Sequence, residues 1–244
     1  MNDKDIDEVL HQAAQTSDAL EPALLQRVAA SLQPLEPVRP LPRTWVLATA
    51  LLFLGAAIAL VAAFHAGFYG FAKMDLLERL LIFSTLACFA CVAAAEFVHS
   101  MIPGSRRLFT PENLLLLASI LLLAIFALLF HDYHTDHFLS AGILCLVTGV
   151  AHAIPVGLLG WLLLRRGLAL NRVAAGLLGG AFAGLAGITL LELHCPNFQA
   201  FHILVWHTAV LPVSAALGAL LGYLLNHHLR RTASVGPEGT RPSH

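Results

Sequence analysis

Long apolar segments separated by short polar stretches are the dominant pattern of this 244-residue chain. Six segments are long enough to cross a bilayer, since a span needs about 20 mostly apolar residues. Backbone polar groups cannot stay unpaired in lipid, so each segment is predicted to be an α-helix. No series of alternating residues typical of a membrane β-barrel is visible. The predicted spans are residues 45–64, 76–98, 113–130, 138–164, 173–191 and 201–225.

The composition supports this interpretation. Hydrophobic residues make up 58% of the chain, charged residues only 12%, and the mean hydropathy is +0.76. Soluble domains are about 25% charged and 45–50% apolar. We therefore predict an all-α integral membrane protein, a six-helix transmembrane bundle with a short helical segment at its cytoplasmic N-terminus. The predicted units are a head (residues 1–43), the bundle (residues 44–229) and a disordered cytoplasmic tail (residues 230–244).

Positive charge is divided unevenly between the two sides of the predicted bundle. Of the 14 Lys and Arg residues, 12 lie on one side, and only Lys73 and Arg79 lie on the other. Positively charged segments stay in the cytoplasm, which predicts that both termini are cytoplasmic. The outer loops are then residues 66–75, 131–137 and 192–200. We expect no cleavable signal peptide, because the first apolar run starts only at Trp45, behind a polar, acidic segment.

The head is acidic and carries two predicted amphipathic helices, residues 3–15 and 21–32. It contains seven acidic and four basic residues, and it is too small to build an enzyme core. A soluble partner with a hydrophobic groove and a basic rim suits these helices, whereas anionic lipid would repel them. Packing on the membrane or on the protein's own inner loops is the alternative. The apolar stripe of the second helix consists of Leu24, Leu25, Val28 and Leu32.

Small residues recur along one face of each of the last two spans. Such stripes allow close approach of helix backbones. Packing within one bundle is the favoured interpretation, and a homo-oligomer interface is the alternative. Pro155 and Pro212 lie inside spans four and six, where each is predicted to kink its helix. The stripes are formed by Gly176, Gly180, Gly184 and Gly187, and by Gly218 and Gly222.

The second outer loop, residues 131–137, is rich in histidine and is called the histidine loop below. Imidazole and carboxylate groups suit Zn²⁺, Cu²⁺ or Ni²⁺. In a helical extension of span three, positions 131 and 134 would share a face. A divalent metal at this outer face is therefore one interpretation, and a hydrated polar loop is the other. The candidate ligands are His131, His134, His137 and His194, with Asp132 and Asp136.

Two cysteines are placed near the same outer face. Cys195 follows span five, and Cys145 lies about two turns into span four. If these spans are neighbours, the two thiols approach each other, and an oxidising exterior would permit a disulfide or a pair of sensing thiols. The alternative is two unrelated cysteines. Cys88 and Cys91 lie near the middle of span two, where a thiol usually behaves as a small hydrophobic group.

Four further polar side chains fall within or at the ends of the spans. Glu96 and His99 lie near the inner end of span two, and an intramembrane carboxylate is a functional candidate. His152 and His207 are candidate haem ligands between helices. No phosphate-binding, zinc-protease or nucleophile motif is present. The chain is therefore predicted not to be an enzyme, and its charge does not suggest nucleic-acid binding.

The order of these features resembles the NrsF-type membrane anti-sigma factors, which regulate extracytoplasmic-function sigma factors negatively. The resemblance rests on the proline-rich tether at residues 32–41 and the Ala-Gly-Ile-Leu-Cys sequence at residues 141–145. It also rests on Leu-Leu-Arg-Arg-Gly at residues 163–167, Leu-His-Cys-Pro at residues 193–196 and Leu-Val-Trp-His at residues 204–207. It covers residues 24–231, and the His-Cys-Pro and Trp-His combination is its most specific part.

The resemblance implies a function for the chain in the inner membrane of a bacterium. The head would hold a sigma factor away from RNA polymerase and release it under stress. The resemblance also implies that two outer cysteines respond to metal or oxidative stress, and the matching positions are Cys145 and Cys195. The alternative from a different class is a metal- or haem-binding membrane protein that acts in transport or electron transfer.

Overall fold

The computed structural model describes residues 67–101, 107–166, 169 and 171–234. The predicted head and first span lie outside the described residues. The described helices are α1 (Tyr69–Lys73), α2 (Leu76–Ser100), α3 (Pro111–Leu129), α4 (Phe138–Arg166), α5 (Arg172–His194), α6 (Ala200–His202) and α7 (Thr208–Ser234). A π-helical segment, Ile203–His207, joins α6 to α7. This part of the chain contains no β-strand, only an isolated bridge between Asp132 and Gln199.

Five helical segments are long and apolar enough to cross a membrane. They correspond to the second to sixth predicted spans, and α6, the π-helical segment and α7 together form the last of them. Large apolar side chains remain exposed on the outside of the bundle: Leu116 is 60% exposed, Leu144 67% and Leu224 52%. A protein dissolved in water rarely exposes large, contiguous patches of apolar side chains. The exposed surface therefore indicates a membrane protein surrounded by lipid.

Local sequence explains where several helices begin. At the start of α2, the Asp75 carboxylate accepts a hydrogen bond from the Glu78 N–H, and the Glu78 carboxylate accepts one from the Asp75 N–H. This reciprocal pair is a capping box. Helix α3 begins two residues earlier than predicted, because Thr110 caps it and Pro111 occupies the first turn. Asn171 caps α5 through the Ala174 N–H.

Three predicted boundaries need correction. The stretch predicted as the first outer loop contains the short helix α1. The predicted third outer loop began at residue 192, but α5 continues to His194, since Pro196 is the first residue that would break it. Helix α7 continues to Ser234, into the segment predicted as a disordered tail, because Leu and Arg are good helix formers.

Helix α5 is the central helix of the described bundle. Within its apolar window 72% of the residues are buried, compared with 22–33% in the other four spans. Its glycines allow close approach, since a Cβ on Gly176 would meet the Gly218 carbonyl of α7. A Cβ on Gly187 would meet the Gly149 carbonyl of α4. The glycine stripe thus packs within one chain, as the favoured interpretation predicted.

We expect Gly176→Ala to destabilise the bundle, because two backbones would have to separate. Overpacking of this kind lowers the free energy of unfolding by about 1–3 kcal/mol. The matched control is Gly157→Ala, since a Cβ there meets only Ala183, at 3.8 Å, beside an apolar cavity of about 410 Å³. The measurement is the unfolding midpoint of the purified full-length protein in detergent. Equal midpoints for the two variants would contradict the packing argument.

Candidate functional site

Four buried or half-buried side chains meet near one end of the bundle. They come from the first half of α4, the end of α5 and the helix that follows it. One ligand atom of each lies within 4.8 Å of those of the other three. Within the described ranges, no other group of three or more histidine, cysteine or acidic side chains converges in this way. This cysteine–histidine cluster consists of Cys145, Cys195, His202 and His207.

The two cysteines come together because α4 and α5 are neighbours, as expected. Their sulfur atoms are 3.6 Å apart, which is a contact between free thiols rather than a disulfide. Cys195 ends α5, and its N–H donates to the Leu191 carbonyl at 2.8 Å. The hydrogen bond with Cys145, together with burial, raises the pKa of the Cys195 thiol.

The π-helical segment positions the two histidines of the cluster. In an α-helix, residues five apart point about 140° away from each other, because each turn takes 3.6 residues. Here the wider turn is closed by a hydrogen bond from the Thr208 N–H to the Ile203 carbonyl. The His202 and His207 rings consequently lie with their centroids 5.3 Å apart. Single π-helical turns occur frequently at functional sites.

A buried glutamate orients His207. The His207 Nδ1–H donates to Glu192 Oε1 at 2.6 Å, and the two side chains are only 1% and 2% exposed. Among the described residues, His207 Nε2 then has no hydrogen-bond partner. The sequence pattern predicts that Glu192 lies in an outer loop and does not indicate this role. The signal that could have found it is the i, i+3 spacing to Cys195, which places both residues at the end of one helix.

His202 is the other residue whose role the sequence did not predict. It is fully buried, and its Nε2 lies 3.9 Å from the Cys195 sulfur. In the sequence it was only one of several histidines near the outer face. The spacing Cys-x6-His-x4-His between residues 195 and 207 could have drawn attention to it.

His152 and His194 form a second, half-buried pair. Their rings meet edge to face with centroids 5.3 Å apart, and neither Nδ1 has a hydrogen-bond partner in the described structure. His194, a predicted metal ligand of the outer face, thus contacts His152 of α4. His207 instead contacts Glu192 and His202. Haem ligation by His152 and His207 stays a prediction.

The histidine loop lies at the same end of the bundle but is exposed to solvent throughout. Span three does not continue as a helix into this loop, since α3 ends at Leu129 and the loop runs in extended and turn conformations. Asp132 accepts a hydrogen bond from His134 Nδ1 at 2.5 Å. This bond raises the pKa of His134 and lowers that of Asp132. His131, His137 and Asp136 do not join the convergent group, and metal binding by the loop stays a prediction.

The remaining candidate residues lie on α2 and do not belong to the cysteine–histidine cluster. Glu96, near the other end of α2, is 1% exposed and accepts a hydrogen bond from the Leu108 N–H at 2.9 Å. It therefore anchors the chain that leads into α3, while His99 follows it on the same helix. Cys88 and Cys91 are free and exposed on the apolar surface of α2.

Removal of the Glu192 carboxylate tests its structural importance. We expect Glu192→Ala to destabilise the protein, because the buried Nδ1–H of His207 loses its acceptor. An unsatisfied buried polar group costs about 1–3 kcal/mol. Glu112→Ala, at an exposed position in the first turn of α3, is the control. The unfolding midpoints of both variants in detergent decide the matter, and an unchanged midpoint for Glu192→Ala would contradict the assigned role.

The fold and the site define a class: an all-α, multi-pass membrane protein with two cysteines and two histidines clustered near one end of its bundle. The family model described as a negative regulator of sigma F, NrsF, matches residues 29–227. The chain therefore belongs to this family, which regulates a sigma factor and is not defined by catalysis. The resemblance seen in the sequence is confirmed. A search of curated proteins and a search of solved structures found no match.

Proposed function

We propose that the protein is a membrane-bound anti-sigma factor that sequesters an extracytoplasmic-function sigma factor. The observation that carries the proposal is the family match over residues 29–227. The match begins within the second predicted head helix, so Leu32 lies inside it, whereas Leu24, Leu25 and Val28 precede it. In this proposal, the apolar stripe of that helix contacts the sigma factor, and the acidic surroundings favour a partner with a basic rim.

The proposed location is the inner membrane of a bacterium, with both termini in the cytoplasm. The division of positive charge, 12 residues against two, supports this orientation. It places the head on the side of RNA polymerase and the cysteine–histidine cluster near the outer surface. A sigma factor held by the head is then unavailable to the polymerase, which is how sequestration represses its genes.

The proposed signal is metal or oxidative stress that acts on Cys145 and Cys195. The contact between their sulfur atoms at 3.6 Å supports this role, since both thiols can bind the same cation or form one disulfide. They connect α4 to the end of α5, and α5 packs against α2, α4 and α7. A change at the thiols can thus alter the packing of the central helix. Release of the sigma factor requires that the bundle has two conformations and that these differ in affinity for the sigma factor.

Purification of the full-length, tagged protein from its own cell tests the proposal. We expect a sigma factor to copurify from unstressed cells and to be lost after stress. The absence of any sigma factor under both conditions would refute the proposed function. In the alternative function, transport or electron transfer, the purified protein instead carries stoichiometric metal or a haem absorption band without a sigma factor. The cysteine–histidine cluster is the observation that favours this second candidate.

A further inference from the structure

We propose that Cys145, Cys195, His202 and His207 form a four-coordinate site for Zn²⁺ or a related thiophilic divalent cation. The inference deepens the proposed function, and it rests on that function only for the consequence of binding. Two sulfur and two imidazole donors are a common set of ligands for tetrahedral Zn²⁺. The set is softer than the imidazole and carboxylate groups of the histidine loop, so it favours cations that prefer sulfur.

Two of the six distances between the donor atoms are close to those of a tetrahedral site. With Zn–S bonds of about 2.3 Å and Zn–N bonds of about 2.0–2.1 Å, two sulfurs lie about 3.8 Å apart and sulfur and nitrogen about 3.6 Å apart. The Cys145 and Cys195 sulfurs are 3.6 Å apart, and the Cys195 sulfur is 3.9 Å from His202 Nε2. A disulfide would need about 2.05 Å between the sulfurs. These two separations are therefore near those of a tetrahedral metal site, and all four donor atoms lie within 4.8 Å of one another.

The histidine nitrogens provide an independent argument. His207 is 1% exposed, and its Nε2 has no hydrogen-bond partner in the part of the chain that the structure describes, although buried polar atoms are nearly always paired. Glu192 holds the opposite nitrogen, Nδ1, at 2.6 Å. A carboxylate on the far nitrogen of a ligating histidine is the usual outer-shell arrangement at zinc sites. It fixes the tautomer in which Nε2 is free to bind the cation.

Charge balance also favours a divalent cation. Binding displaces one proton from each thiol, so that M²⁺ and two thiols give a neutral dithiolate complex and two released protons. His202 and His207 bind as neutral imidazoles. Three of the four ligands are at most 6% exposed, and the cation cancels the charge of the two thiolates there, since an uncompensated buried charge is costly. No oxidant or reductant takes part in this step.

Coordination would join α4, the end of α5 and the continuous stretch formed by α6 and the π-helical segment. The cation therefore stabilises the bundle packing in which these elements meet. If the proposed function holds, this linkage provides the input that changes the affinity of the head for the sigma factor. Metal coordination and disulfide formation also exclude each other, because both use the same two sulfur atoms.

Cobalt titration of the full-length protein in detergent tests the site. Co²⁺ replaces Zn²⁺ in tetrahedral sites and gives visible d–d bands and a near-ultraviolet charge-transfer band from each thiolate. We expect one Co²⁺ per chain, displaced by Zn²⁺, and protection of Cys145 and Cys195 from alkylation. His207→Ala should weaken binding at least tenfold, and Glu192→Gln about tenfold, since outer-shell changes cost 10–100-fold. Alkylation of Cys88 and Cys91 should not change.

Two further variants keep the experiment decisive. His202→Cys retains a ligand, so it should still bind and gain charge-transfer intensity, which shows that loss in other variants is not misfolding. The triple variant His131→Ala, His134→Ala, His137→Ala should bind normally. Absence of tetrahedral bands, or their loss only in the triple variant, would overturn the proposal. Because the titration needs no sigma factor, its failure is distinguishable from failure of the copurification experiment.

Discussion

In cells that carry Leu25→Asp, we expect the genes controlled by the sigma factor to be expressed without stress. Leu25 lies on the apolar stripe of the second predicted head helix. An aspartate there would place a charge in the proposed interface, and burial of an unpaired charge is strongly unfavourable. A loss of about 3 kcal/mol corresponds to a roughly hundredfold weaker complex. Transcript levels in unstressed cells should thus approach those of the fully induced wild type.

Gln26→Asp is the matched control for this prediction, because it adds the same charge on the polar side of the same predicted helix. It should leave expression at its repressed level. Membrane abundance of each variant, measured by immunoblot, shows whether the protein is still inserted. Equal derepression by both variants at normal abundance would mean that net charge, rather than the apolar stripe, governs binding. Full repression in cells that carry Leu25→Asp would mean that the apolar stripe does not contact the sigma factor.

The second large effect is expected at the thiols. In the double variant Cys145→Ser, Cys195→Ser, repression should persist in unstressed cells while induction by metal or oxidant disappears. Serine has nearly the same size as cysteine, so the packing of α4 against α5 is retained. Its hydroxyl forms no disulfide and is a poor ligand for thiophilic cations. Reporter expression should therefore be equal with and without stress.

Cys88→Ser with Cys91→Ser provides the control, since both thiols are exposed on the apolar surface of α2, away from the described cluster. This variant should respond to stress like the wild type. An intact response in the Cys145 and Cys195 variant would refute their sensing role. Constitutive expression in that variant would instead mean that the thiols are needed for repression itself.

The apolar pattern predicted the described spans well, because membrane helices follow local rules. Each span must satisfy its own backbone hydrogen bonds, and its length is set by the bilayer. Helix α2 starts at Leu76 and α4 at Phe138, as predicted. The errors occurred at helix ends. There, caps such as Thr110 and the position of the next proline, rather than average hydropathy, decide where a helix starts or stops.

The predicted site was correct in one part and incomplete in another. The depth of Cys145 and Cys195 and the family resemblance predict a cysteine pair, and the contact between α4 and α5 brings the two thiols together. The histidine loop attracted attention because its residues are adjacent in sequence, but exposed neighbours in a loop need not converge. His202 and His207 converge although an α-helical periodicity would point them apart, because the π-helical turn changes the periodicity between them.

The sequence by itself determined that this is an all-α membrane protein of the NrsF family, because hydropathy and the family motifs can both be read directly from the order of the residues. Only the tertiary structure decided which polar groups meet. It placed α5 at the centre, buried Glu192 against His207, and completed the cysteine pair with two histidines. These contacts depend on the packing of helices that are distant in sequence, which the glycines of α5 and the π-helical turn permit.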